Sequence, residues 1–162
     1  MSVYQKENPE YLRAAVESVL GQTVPPEEVV LVCDGPLTEA LDGVIAEYAR
    51  QEIAFRVVRL PENGGLGKAL NEGLKHCSCE WIARMDTDDL SAPDRCEKQL
   101  KFLEKHPEVD ALSGTIAEFQ GDALDGKTAE TAVISNKTVP ETQKEIACLL
   151  YTSPSPRDRS LS

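Results

Sequence analysis

The sequence is poor in aromatic residues, cysteine pairs, basic residues and long apolar runs. Aromatics make up 5% of its 162 residues, and no apolar run approaches the roughly 18 residues that indicate a membrane-spanning helix. The five cysteines form an odd set without a CxxC pair, typical of neither a disulfide framework nor a zinc site. With 17 basic against 28 acidic residues, the formal charge of −11 disfavours nucleic acid as a partner. We therefore expect a globular cytoplasmic protein without an integral membrane segment. A peripheral location at the inner face of the membrane is compatible with this expectation.

Helical and strand patterns alternate along the chain. The first strand pattern, in MSVY, is unusually short. Four further strand patterns cover residues 28–33, 54–60, 80–85 and 110–119. The first helical pattern covers residues 8–22, with Asn8 as its N-cap. Three further helical patterns cover residues 37–51, 67–77 and 92–107, and Ser91 is the expected N-cap of the last. Parallel neighbours need crossover connections, so this alternation predicts an α/β, Rossmann-like, mostly parallel sheet with helices on both faces. Such sheets bind ligands at the carboxyl ends of their strands.

Three carboxylates, Asp86, Asp88 and Asp89, directly follow the predicted strand 80–85. Their charges repel one another unless a cation or a hydrogen-bond donor lies between them. Oxygen ligands suit Mg²⁺ or Mn²⁺, which take one or two protein carboxylates together with phosphate oxygens and water. The sequence therefore predicts a site for a metal and a diphosphate.

Two alternatives for these acids stay open. They could complement the amino end of the helix expected near Ala92. They could also belong to a phosphatase of the haloacid dehalogenase type, although that pattern has Thr or Val where Leu90 stands. We expect Arg84 to form a structural ion pair with one of the acids, with a phosphate as the alternative partner. We assign no role to His76 or His106.

The segment ENGGLGKALN (62–71) contains a glycine turn that opens a helix. Its spacing fits neither the Walker A loop nor the dinucleotide fingerprint. The free N–H groups of such a turn favour an anion, and Lys68 adds positive charge, while a plain tight turn is the alternative. Asp34 could accept hydrogen bonds from a base or ribose, or it could cap the helix from Leu37. Ser2 and Tyr4 could supply a hydroxyl and a stacking ring, or they could simply pack.

Four segments taken together resemble the family 2 glycosyltransferases, which have the GT-A fold: MSVYQKENPEYLRAAVESVLGQT, EEVVLVCDGPLTEAL, RLPENGGLGKALNEGL and WIARMDTDDLSAPDR. The resemblance covers about residues 1–119, and it implies a nucleotide diphosphate sugar donor, usually a UDP-sugar. On the matching positions it implies that Ser2, Tyr4 and Asp34 contact the uridine. Gly65 and Lys68 would lie by the nucleotide.

The same resemblance makes Asp86-Thr87-Asp88 the D-x-D signature of the family. It implies that Asp86 faces the ribose or the sugar and that Asp88 or Asp89 holds Mn²⁺ or Mg²⁺. The sequence departs from the family pattern where Cys33-Asp34 replaces the common acidic pair and where Pro36 replaces the usual serine.

The implied reaction is an inverting, metal-dependent transfer to an acceptor hydroxyl of a glycan or lipid-linked glycan. The family's catalytic base lies in the second half of the domain, so we assign no catalytic residue and expect an inactive fragment. Residues 1–119 would form the nucleotide-sugar-binding part and 120–148 a linking segment with a helix in PETQKEIACLL. Residues 149–162 resemble translated sequencing-adapter text and would be a non-native, disordered tail. The alternatives are a non-catalytic nucleotide-sugar-binding fragment and, disfavoured by the lack of an amino-terminal glycine-rich signature, a sugar nucleotidyltransferase.

Overall fold

The structure, a computed structural model, describes residues 1–50, 54–114, 116–120 and 129–134, the last two ranges as backbone strands. The chain divides into two units, Met1–Leu112 and Ser113–Ser162. The first unit contains, in chain order, β1 (Ser2–Val3), α1 (Pro9–Leu20), β2 (Glu28–Cys33), α2 (Glu39–Tyr48), β3 (Ala54–Arg59), α3 (Leu66–Leu74) and α4 (Arg95–Lys105). No helix in these described ranges combines the length and the apolarity that crossing a bilayer requires.

The sheet of the first unit is parallel, with β2 between β1 and β3. Val32 of β2 lies opposite Ser2 on one side and Val58 on the other. The run EVVLVC is buried along nearly its whole length, as a strand covered on both faces should be. This arrangement confirms the predicted parallel α/β fold.

Helices cover both faces of the sheet because the side chains of β2 alternate between them. Leu31 and Cys33 join the larger core cluster, which α1 and α2 complete with Leu12, Val16, Leu41, Val44, Ile45 and Tyr48. Val30 and Val32 pack on the other face against Ala69 of α3. At Gly73 of α3 an added Cβ would lie 2.9 Å from Cγ2 of Val32, so a small residue is needed where this helix meets the sheet.

Side-chain caps fix the starts of the first two helices. Asn8 Oδ1 accepts a hydrogen bond from the Glu10 N–H at 2.9 Å, as predicted for α1. Thr38 Oγ1 accepts from the Leu41 N–H at 3.3 Å and caps α2. The alternative that Asp34 caps this helix is therefore wrong.

The predicted strand 80–85 is wrong, since these residues form no strand and Trp81 and Ile82 are exposed. These residues form no ladder with β1, whose strand pairing is with Val32 and Cys33 of β2. The Ser2 carbonyl instead accepts a hydrogen bond from the Thr87 hydroxyl at 3.2 Å. A side-chain hydrogen bond thus links the residues after position 85 to β1.

The start of α4 also differs from the prediction. The helix begins at Arg95 with Asp94 at the N-cap position, whereas Ser91 was expected to cap a helix from Ala92. The Ser91 N–H donates to Ser18 Oγ at 3.0 Å, so residue 91 is bound to α1 and does not start a helix. The second unit pairs β4 (Ile116–Gln120) antiparallel with β5 (Ala129–Ile134). The weak periodicity after Phe119 did not predict β5.

The predicted helix in residues 140–150 and the predicted non-native tail at 149–162 lie outside the described residues.

Candidate functional site

The carboxylate of Asp34 joins the end of β2 to the glycine turn after β3. Its Oδ1 accepts a hydrogen bond from the Gly64 N–H at 2.7 Å, and its Oδ2 accepts from the Gly65 N–H at 3.1 Å. The side chain is only 1% exposed. Two strand ends are therefore held together by a buried charge that is bonded to backbone donors. The predicted contact between Asp34 and uridine stays a prediction.

A cavity of about 360 Å³ opens beside this turn, between the loop after β3 and α3. Gly64 and Lys68 line it, together with Asn71, Glu72 and Lys75 of the α3 surface. Its walls include neither Asp34 nor the residues after position 80, so the predicted ligand-binding residues do not all share this cavity. The amino end of α3 follows Gly65 directly and lies beside this cavity. Among the described residues no side chain caps this helix start, and uncapped N–H groups of this kind favour an anion.

Thr87 attaches the acidic segment to β1. Its hydroxyl donates to the Ser2 carbonyl, and both side chains are almost fully buried. The structure thereby brings the predicted residues Ser2 and Asp86-Thr87-Asp88 together. Tyr4, half-buried, lies just beyond β1. Sequence reasoning gave Thr87 no role, although a hydroxyl between two carboxylates was a usable signal.

The three predicted acids differ in their surroundings. Both carboxylate oxygens of Asp86 accept hydrogen bonds from Arg84 Nη2, at 2.9 and 2.8 Å, which confirms the expected structural ion pair. Asp88 and Asp89 are exposed, and within the described ranges their side chains make no hydrogen bond or ion pair. These two carboxylates are therefore available to a ligand.

Asp89 is a member of this acidic cluster whose pKa is clearly raised. Although the residue as a whole is exposed, its carboxylate is partly shielded from water, and this shielding is the main cause that raises its pKa above the ordinary value of 3.8. Repulsion by Asp88 and Asp86 adds to the rise, and the positive charges of Arg84 and Arg95 oppose it. A divalent cation would relieve this repulsion.

The donor set fits Mn²⁺ or Mg²⁺ held by Asp88 and Asp89. Both residues offer hard oxygen ligands of the kind these ions prefer. Among the residues that the structure describes, no group of three or more His, Cys, Asp or Glu is arranged around a common metal position. These ions do not need such a group, because diphosphate oxygens and water complete their coordination.

The alternative that these acids complement a helix amino end loses its basis. Residues 90–94 separate Asp89 from Arg95, where α4 begins, and the effect of a helix dipole falls off within the first turn. The acid in that first turn is Glu97.

The substitution Asp89→Asn should raise the thermal stability of the metal-free protein at neutral pH. The folded-state pKa of Asp89 is raised, so the folded state binds this proton more tightly than the unfolded state and stability falls as pH rises through that range. The gain should vanish at about pH 3, where the carboxyl is protonated in both states. Melting curves of both proteins at the two pH values test this. A lower melting temperature for the variant at neutral pH would instead favour a structural role for the charge.

The chain belongs to glycosyl transferase family 2, because the model of that family matches residues 1–155. The match extends beyond residue 119, where the resemblance ended. The predicted GT-A type of fold is confirmed.

Relatives and solved structures agree with this membership. The chain is 46% identical to an uncharacterized glycosyltransferase of Haemophilus influenzae over 146 residues, which are 90% of the chain and 52% of that protein. It is 37% identical over 120 residues to the UDP-Gal:alpha-D-GlcNAc-diphosphoundecaprenol beta-1,3-galactosyltransferase of Escherichia coli, covering 74% of the chain and 43% of that protein. The S. aureus TarS structure (residues 1–349) in complex with UDP has a TM-score of 0.56 at 26% identity, over 65% of this chain and 32% of TarS. The chain thus spans about half the length of the curated relatives it matches.

Proposed function

We propose that this chain supplies the donor-binding part of a glycosyltransferase that moves a sugar from a UDP-sugar to an acceptor hydroxyl. The observation that carries the proposal is that both the glycine turn and the acidic segment are attached at the carboxyl ends of strands of the parallel sheet. Asp34 binds the Gly64 and Gly65 amides, and Thr87 binds β1. Parallel sheets bind nucleotides at this edge. The UDP named for the TarS complex and the UDP-Gal named for the E. coli relative support the donor class.

Each part of the proposed site has a separate task. Ser2 and Tyr4 bind the uridine at the end of β1, and Asp86 faces the ribose or sugar. Lys68 and the amino end of α3 attract the diphosphate by their positive charge. The exposed carboxylates of Asp88 and Asp89 hold Mn²⁺ or Mg²⁺, which when bound stabilises negative charge on the diphosphate.

The proposed transfer inverts the anomeric centre by direct displacement. The acceptor oxygen forms a bond to the anomeric carbon as the bond from that carbon to the diphosphate oxygen breaks, and UDP leaves with the electron pair. The acceptor proton goes to a general base. His76 and His106 are half-buried and lie after α3 and α4, beside Glu72 and Glu108. No ligand-binding role is assigned to either, and neither is proposed as that base.

The proposed acceptor is a glycan or lipid-linked glycan, supported by the diphosphoundecaprenol acceptor in the name of the E. coli relative. A second candidate is nucleotide-sugar binding without transfer. It is an alternative that stays open from the sequence. Transfer activity, assayed with a UDP-sugar and candidate acceptors, separates the two candidates.

Calorimetric titration with UDP should reveal binding that depends on Mn²⁺. The substitution Asp88→Ala should weaken it at least about tenfold, because it removes one of the two available carboxylates. Asp110→Ala is the matched control, since Asp110 is an exposed acid beyond α4 and should leave affinity unchanged. UDP binding of equal affinity with and without Mn²⁺, or an equal loss of UDP affinity in both variants, would contradict the proposed metal site. No UDP binding by a folded sample would contradict the donor site itself.

A further inference from the structure

Gln22, directly after α1, is a buried amide that nothing in the sequence reasoning singled out. Its Nε2 donates to the Ser18 carbonyl at 2.9 Å and to the Ala92 carbonyl at 2.8 Å, and its Oε1 accepts from the Cys96 N–H at 3.1 Å. The residue is only 6% exposed. One side chain therefore ties the end of α1 to a segment 70 residues later in the chain.

Neighbouring contacts strengthen this connection on both sides of Gln22. The Ser91 N–H donates to Ser18 Oγ at 3.0 Å, and the Thr23 N–H donates to the Pro93 carbonyl at 2.8 Å. Thr23 Oγ1 also donates to Glu97 at 2.8 Å. The residues that follow the acidic segment are thus bound to α1 at several consecutive points.

The acidic segment is consequently fixed at both ends. Thr87 binds β1 at one end, and contacts from Ser18, Gln22 and Thr23 hold residues 91–97 at the other. Asp88 and Asp89 lie between these two attachments on a segment with no regular secondary structure. Within the described residues, the side chains of Asp88 and Asp89 make no hydrogen bond or ion pair that would fix their orientation.

We infer that Gln22 is a positioning residue that sets the placement of Asp88 and Asp89. It touches no ligand in this scheme and acts through the backbone of Ala92 and Cys96. Two carboxylates share one small cation only when their separation is correct, so a displaced loop loses affinity even with both acids present. The inference rests on the proposed metal-dependent donor site, whose geometry it explains.

The test compares Gln22→Met with Val44→Ala in the full chain. The methionine keeps the length of the side chain but removes all three hydrogen bonds. Val44 lies in the core cluster of α2, which contains no residue of the acidic segment, so its truncation supplies a destabilised control. We expect Gln22→Met to weaken Mn²⁺-dependent UDP binding about tenfold, while Val44→Ala stays within about twofold. Urea unfolding of both variants measures their stability, and titrations are done where both are fully folded.

Amide hydrogen exchange of residues 86–97 in the metal-free protein gives a second readout. Exchange of the Ser91 and Cys96 amides should accelerate in Gln22→Met beyond any change in global stability, and it should follow global stability alone in Val44→Ala. Equal exchange in the two variants, or equal affinity loss, would overturn the positioning role. Absence of UDP binding by the wild-type chain would count against the proposed function, and the exchange comparison would still decide the role of Gln22.

Discussion

Replacement of Asp34 by alanine should lower the free energy of unfolding by about 3 kcal/mol, because it removes two hydrogen bonds to a charged acceptor and leaves two amides without it. Within the part of the chain that the structure describes, the only other acceptor of these two amides, those of Gly64 and Gly65, is Asn63 Oδ1, which accepts from the Gly65 N–H at 3.2 Å. The glycine turn should then separate from the end of β2. UDP affinity should fall with it, since Lys68 and the start of α3 follow this turn directly.

A conservative variant and a surface control sharpen the Asp34 experiment. Asp34→Asn keeps one oxygen but turns an NH₂ group toward a backbone donor, so it should recover little of the loss. Glu47→Gln is the control, since Glu47 also binds with both oxygens, to Arg13 on the exposed surface. Exposed ion pairs contribute at most about 1 kcal/mol. Urea unfolding and UDP titration of the three variants should therefore separate Asp34 from the control. Similar losses in all three would show that the buried contact has no special weight.

The parallel sheet and its helices could be predicted because their signals are local and strong. The β-branched run 28–33 and the apolar stripes of α1 and α2 each need only nearby residues to be recognised. Residues 80–85 carry a comparable apolar pattern, yet they form no strand. Whether they pair depends on the edge that a neighbouring strand presents, and a local pattern contains no information about that edge.

The candidate site was predictable in its position but less so in its contacts. Polar residues after successive strands indicated the carboxyl edge of the sheet, and the structure brings Asp34 to the glycine turn and Thr87 to β1. The roles of Thr87 and Gln22 depend on partners 85 and 70 residues away, and spacing along the chain does not reveal such pairs. The burial of Asp34 could not be predicted from the sequence either, because the same Asp-Gly-Pro turn also suits an exposed carboxylate.

Replacement of Gly35 by alanine should destabilise the fold by about 2 to 4 kcal/mol, because a positive φ and a steric overlap act together. Gly35 has a φ of 86°, and an added Cβ would lie 2.7 Å from the backbone nitrogen of Asn63. Backbone cannot move aside as a side chain end can, so the loop after β3 must shift. That shift should break the contact between Asp34 and the glycine turn and weaken UDP binding.

Two other glycines of the same region separate the steric effect from the conformational one. Gly65 has a φ of 87° but open space around an added Cβ, so Gly65→Ala should cost only about 1 to 2 kcal/mol. Gly67 is the second residue of α3 and has neither constraint, so Gly67→Ala should not destabilise the protein and should stabilise it by up to about 0.5 kcal/mol. Urea unfolding should rank the variants in this order. If Gly35→Ala were no more destabilising than Gly65→Ala, the close approach of Asn63 to the end of β2 would be refuted, since backbone conformation alone would then account for both losses.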